Sequence, residues 1–128
     1  MPKLYTVAEA NALLLELTTL LEDLQSQAEI LAGIQNEFRE VRKQVQTNGH
    51  GGRTAALTGQ ATAAEQQVRV HLARLQDLDI ELKDVQTGLI DFYHEREGRI
   101  VYLCWKLGEP SVGYWHDLDA GFAGRRPL

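Results

Sequence analysis

Residues 88–116 read GLIDFYHEREGRIVYLCWKLGEPSVGYWH. This stretch decides the fold, because here the pattern leaves helical steps and becomes β-like. Gly88 to His94, Arg99 to Leu107 and Val112 to His116 are rich in branched and aromatic residues. Glu97-Gly98 and Gly108-Glu109-Pro110-Ser111 separate them with turn-forming residues. The stretch predicts a three-stranded antiparallel β-meander. Alternation along the middle strand puts Ile100, Tyr102, Cys104 and Lys106 on one face and Val101, Leu103, Trp105 and Leu107 on the other. The second face is the candidate core.

Strand arithmetic on this meander sets out a candidate site. A tight turn at Glu97-Gly98 places Asp91 across from Cys104, and a turn at Glu109-Pro110-Ser111 places Cys104 across from His116. A carboxylate, a thiolate and an imidazole on one face suit Zn²⁺ or another borderline transition metal, with Glu109, His94 or Asp119 as completing ligands. A one-residue register change destroys the arrangement, and neither Cys-x-x-Cys nor His-Glu-x-x-His anchors it. Two other readings stand beside it. Cys104 next to His116 has the makings of an activated nucleophile, which requires an exposed sulfur with a lowered pKa. A lone strand cysteine is also simply a small buried apolar residue. Trp105 and Trp115 read as core or interface anchors.

Working back from the meander, the chain is helical. Thr6 and Glu9 have capping-box spacing. From there Leu13, Leu17, Leu20, Leu24, Leu31, Ile34, Phe38, Val41 and Val45 follow alternating four- and three-residue steps, coiled-coil-like, with Gln27 at the one polar position. Leu14, Leu21 and Ala28 widen the apolar face, implying more than one neighbour. Asn48-Gly49-His50-Gly51-Gly52 reads as a turn between antiparallel helices; as a phosphate cradle it lacks the Walker spacing and the Lys-Ser/Thr pair. The second helix continues the seam through Leu57, Ala61, Ala64, Val68, His71, Leu75, Leu78 and Leu82. Folding the hairpin brings His71 near Leu31 and about one turn from Gln27, so a buried Gln27–His71 hydrogen bond is expected, with a metal or proton-transfer role as the alternative.

Composition narrows the classes. The chain has 128 residues, 44% of them hydrophobic, and a formal net charge of −5. One domain over 1–128 is expected, with helix 1 at 6–46, helix 2 at 54–82, the meander at 88–116 and an irregular tail at 117–128. The acidic balance disfavours nucleic acid and membrane surfaces as partners. Glu16 and Glu22 interrupt the N-terminal leucines, which therefore lack the apolar segment of a signal peptide, and one cysteine makes no internal disulfide, so a cytoplasmic location is expected. In the tail, Arg125 and Arg126 have Asp117, Asp119 and Glu109 as ion-pair partners, or bind an anion.

Three segments carry a family resemblance: Lys83-Asp84 through Thr87-Gly88-Leu89 and Asp91-Phe92; Leu103 to Pro110; and Tyr114 to Arg125. With the opening Tyr5 to Leu14, they resemble the small bacterial proteins catalogued as domain of unknown function 2203. The resemblance spans most of the chain and is most specific in the Cys-Trp and Trp-His segments. It implies a small cytosolic bacterial protein and carries no activity.

The sequence thus predicts an α+β protein, a long antiparallel helical hairpin followed by a small three-stranded meander. Two helices and so small a sheet leave much of the leucine face bare, and a homodimer forming a four-helix bundle would bury it. Two functions follow: a helical scaffold that binds itself or a helical protein partner, or a metal-binding protein or metal-dependent enzyme using Asp91, Cys104 and His116.

Overall fold

The computed structural model describes residues 1–44 and 51–128. Its elements are α1 (Val7–Ala12), α2 (Leu14–Gln44), α3 (Gly51–Asp77), β1 (Ile80–Asp84), β2 (Leu89–Arg96), β3 (Arg99–Lys106), β4 (Tyr114–His116), a 3₁₀ turn (Phe122–Gly124) and β5 (Arg126–Pro127). The architecture is α+β. Two long helices pack closely, and the sheet is antiparallel in the order β1-β2-β3-β4-β5. No helix among the described residues is long and apolar enough to cross a membrane.

The first helix starts as its capping box dictates. Glu9 N–H donates to Thr6 Oγ1 at 3.1 Å, and Thr6 N–H donates to Glu9 Oε1 at 2.9 Å. It is not continuous, however. Leu13 separates α1 from α2, and its N–H bonds back three residues to Ala10 O at 3.1 Å, a local tightening that a leucine seam gives no sign of. The glycine turn expected at 48–52 lies partly outside the described residues, and Gly51 and Gly52 form the start of α3. Glycine weakens a helix without forbidding it, least of all in the first turn.

Contacts along the hairpin establish that α2 and α3 are antiparallel. Glu16 pairs with Arg74 at 2.7 Å, Asp23 with His71 at 2.6 Å and Glu37 with Arg53 at 3.2 Å. The expected Gln27–His71 bond is therefore displaced: Asp23, one turn earlier, takes the imidazole, and Gln27 donates to Asp23 Oδ1 at 3.4 Å. The imidazole's hydrogen bond, reinforced by that of Gln27, holds the Asp23 carboxyl below its ordinary value. His71 has a structural partner on the neighbouring helix.

The second helix ends at Asp77, five residues before the expected boundary at 82. Asp79 adopts φ 55°, a left-handed conformation that Asp tolerates better than most residues, and the chain leaves directly into β1. Leu78 and Leu82 satisfy helical spacing, yet Ile80 and Leu82 equally satisfy strand alternation against Glu81 and Lys83. At the other end, Arg126–Pro127 pairs with β4, so the tail expected to be irregular adds a fifth strand. The sheet has five strands where three were expected.

Sheet and hairpin share one core. Leu17, Leu20, Leu21 and Leu24 of α2 and Leu75 of α3 pack with Ile90, Phe92, Val101, Leu103, Trp105 and Trp115. Val101, Leu103 and Trp105 are the predicted core face of the middle strand, and all are buried. The face widened by Leu14 and Leu21 is thus covered by the chain's own sheet. Farther out, Ile34, Val41 and Leu57 form a separate, thinner cluster between the helices.

Two turns make the sheet's registers. Glu97 (φ 53°) and Gly98 (φ 75°) form a two-residue hairpin with both centres left-handed, whose twist matches the flanking strands. Gly88 is more constrained: at φ 66° a Cβ would stand 2.6 Å from Leu107 Cβ. Gly88→Ala is expected to cost the left-handed penalty of about 1–2 kcal/mol plus about 1 kcal/mol or more of overlap. Gly98→Ala faces open space and incurs only the first. Urea denaturation of the two variants checks this; equal losses would show that Leu107 yields freely.

Candidate metal centre

The face of the sheet turned away from the helices carries the polar cluster. Asp91 on β2 lies directly across from Cys104 on β3. His116 on β4 lies across from Tyr102, not Cys104, whose partner is Tyr114. The β3–β4 turn is thus centred on Glu109, one residue earlier than the sequence reading assumed. A two-residue shift preserves the face, so His116 still reaches the cluster, diagonally. One ligand atom from each of Asp91, Cys104 and His116 lies within 4.8 Å of the others.

These three groups are almost fully enclosed, at 2%, 0% and 2% exposure respectively. His116 Nδ1 lies 2.8 Å from Asp117 O, and since a carbonyl only accepts, that nitrogen carries a hydrogen. Nε2 is thereby turned to Asp91 Oδ2 at 3.1 Å. Asp91 Oδ1 is buried and without a hydrogen-bond partner. Burial raises the Asp91 carboxyl above its ordinary value against the opposing pull of His116. Burial, and secondly the Asp91 charge, push the Cys104 thiol up to about 11. A thiol so placed is protonated at neutral pH, which argues against the nucleophilic reading.

The other residues proposed as completing ligands stand apart. Glu109 is gripped by Arg125, which donates through Nη1 at 3.1 Å and Nη2 at 2.5 Å, and Lys106 N–H donates to it at 2.7 Å. Burial acts to raise its carboxyl, but these donors outweigh that and hold it below the ordinary value. His94 is three residues from Asp91 and so on the opposite face, with Nδ1 2.6 Å from Tyr5 O. Asp119 is exposed in the tail. None of the three joins the cluster.

The surroundings include groups that sequence reasoning passed over. Arg125 Nη1 lies 3.8 Å from Cys104 Sγ, and its guanidinium stacks between Tyr114 (3.9 Å) and Phe122 (4.3 Å). Tyr102 lies 5.4 Å from His116 ring to ring, Lys83 Nζ stands 4.8 Å over Tyr102, and Tyr93 donates to Glu81 Oε1 at 2.9 Å. Tyr102 was legible from alternation with Cys104. Glu81 was hidden because Ile80 to Leu82 read as the end of a helix, and Lys83 because it fell between that helix and the expected meander.

A helical hairpin backing an antiparallel sheet, with buried carboxylate, thiol and imidazole groups together on its far side, defines an α+β protein. The chain belongs to the family described as an uncharacterized conserved protein, domain of unknown function 2203, which matches it over residues 3–128. No curated protein and no solved structure matches it.

Enclosure of Cys104 makes a prediction for its thiol. Ellman's reagent is expected to react with the folded protein about a hundredfold or more slower than with the urea-unfolded chain. Arg125→Gln removes a cation that favours the thiolate, so a faster reaction in that variant reports loosening of the Arg125 cover. An unchanged rate would show that the strands alone enclose the sulfur.

Proposed function

We propose that this protein binds a transition-metal ion, with Zn²⁺ the best match, through Asp91, Cys104 and His116. The observation that supports this reading is the convergence of three buried ligand atoms within 4.8 Å. Zn–ligand bonds of 2.0–2.3 Å imply ligand separations of about 3.3–3.8 Å around a tetrahedron. The His116 Nε2–Asp91 Oδ2 pair, at 3.1 Å, is already near that spacing. His116 is also tied through Nδ1 to a carbonyl, the outer-shell arrangement that orients metal-ligating histidines. Zn²⁺ chemistry suits the mixed N, O, S donor set. The enclosure favours a structural or sensing ion over one that acts on a substrate, and a free buried thiol suits a cytoplasmic setting.

Metal entry displaces the Cys104 thiol proton, so binding releases a proton near neutral pH. Without metal, the cluster opposes folding. The Asp91 pKa is raised on folding, so its favourable contribution exists below the ordinary carboxylate range and is lost as pH rises through the folded value. At neutral pH, a buried carboxylate with an unpartnered oxygen is a liability that bound metal removes.

Metal content by mass spectrometry of untagged protein purified without chelator is expected to be near stoichiometric, and lost in Cys104→Ser and His116→Ala. Wild type that stays empty through Zn²⁺ titration would end this reading. In chelator-treated protein, Asp91→Asn is expected to melt no lower than wild type, since it removes the buried charge and leaves a donor for Nε2. A large drop would assign Asp91 a structural role instead.

A second reading, self-association through the hairpin as a homodimer scaffold, is favoured by a different observation. Leu15 (85% exposed) and Val70 (61%) flank a shallow groove that includes Leu20, on a part of the hairpin the sheet leaves open. Light scattering is expected to give a dimer at micromolar concentration and a monomer for Leu15→Asp. A monomeric wild type would remove this reading and leave the metal proposal untouched.

A further inference from the structure

The helix-facing side of the sheet, at its β2–β3 turn, carries a group of cations that the metal proposal does not use. Arg96 and Arg99 lie directly opposite each other on either side of the two-residue turn. Like charges so placed repel. Arg126, on β5, is paired with Trp115 on β4. The three guanidinium carbons lie 4.6, 5.9 and 5.2 Å from the centroid of the Trp115 ring, for Arg96, Arg99 and Arg126 respectively.

Carboxylates are nearly missing from this group. Asp117 pairs with Arg99 at 3.0 Å. Neither Arg96 nor Arg126 has a carboxylate within ion-pair distance among the described residues. Glu95 pairs with Ile100 and so faces the other side of the sheet, and Glu97 occupies the turn. The chain has 18 acidic residues and 13 Lys and Arg, so acid partners are in surplus. Arg125, one residue before Arg126, is gripped by Glu109 through both nitrogens. Contact with the Trp115 ring places each guanidinium carbon within 5.9 Å of one centroid, but it does not neutralise them.

We propose that Arg96, Arg99 and Arg126, gathered around Trp115, form a binding site for a phosphate dianion, free or as a monoester. Three guanidinium groups and one carboxylate leave two positive charges uncompensated, which a dianion matches and a monoanion does not. Planar guanidinium forks also suit tetrahedral oxyanions, each presenting paired N–H donors. The site forms only when the β2–β3 turn and β5 come together beside β4. It lies on the face opposite the metal cluster, and Asp117 is common to both: its carboxylate pairs with Arg99 and its carbonyl accepts from His116 Nδ1.

Titration of the full chain with inorganic phosphate at pH 8, with chloride at matched ionic strength as control, tests this. The readout is the indole N–H resonance of Trp115, assigned with Trp115→Phe. A saturable shift with phosphate only is expected, weakened about fivefold or more in Arg96→Gln and in Arg126→Gln and unchanged in Arg39→Gln, which lies on the hairpin. Circular dichroism confirms that each variant folds. Glycerol phosphate in a parallel titration separates the sources: equal response assigns the free ion, and tighter binding assigns an esterified phosphate. No saturable shift, a shift reproduced by chloride, or one that survives in the double Arg96→Gln/Arg126→Gln variant overturns the proposal.

Discussion

Burial of the α2 leucines against the inner face of the sheet is the constraint on which the rest of the molecule depends. Leu17, Leu21 and Leu24 are almost wholly excluded from water, as are Ile90, Phe92, Val101, Leu103 and Trp105 opposite them. Each such side chain contributes roughly 1.5–3 kcal/mol of transfer free energy. A one-residue slip of any strand would turn its part of this set outward. Packing on one side of the sheet therefore dictates which residues appear on the other, and Asp91, Cys104 and His116 occupy their common face because their neighbours are held in the core.

That far face is costly to maintain. A carboxylate with one oxygen unpartnered, a thiol pushed up to about 11 and an imidazole are enclosed together where apolar side chains would pack more favourably. Polar clusters of this kind tend to mark places where function outweighs stability. Arg125 balances part of the cost, since its guanidinium neutralises Glu109, stacks on Tyr114 and Phe122, and reaches the sulfur. The contrast with Arg126 is instructive: adjacent residues in an extended tail project to opposite faces, one into an enclosed ion pair, the other into a cationic group around Trp115.

Much of this was legible locally. The Thr6–Glu9 capping box, the Glu97-Gly98 turn, the Asp91–Cys104 register and the choice of core face each depend on residues a few positions apart, whose preferences the backbone obeys directly. The misses have two causes. Leu78 and Leu82 fit helix and strand patterns alike, and only the left-handed Asp79 and the pairing of Ile80 with Phe92 resolve them in favour of a strand. His94 failed as a ligand for the opposite reason: alternation alone sets it on the other face from Asp91, and that parity was available in the sequence.

By itself, then, the sequence determined an α+β chain, a helical hairpin with a capped start, a tight β2–β3 hairpin and the common face of Asp91, Cys104 and His116. These rest on period, turn chemistry and alternation, which act within a few residues. Only the tertiary structure decided that Asp23 rather than Gln27 meets His71, that β1 and β5 extend the sheet, and that His116 pairs with Tyr102. Those outcomes depend on which of several sequence-compatible contacts bury the most apolar surface together. That is a property of the whole packed chain and has no local signature.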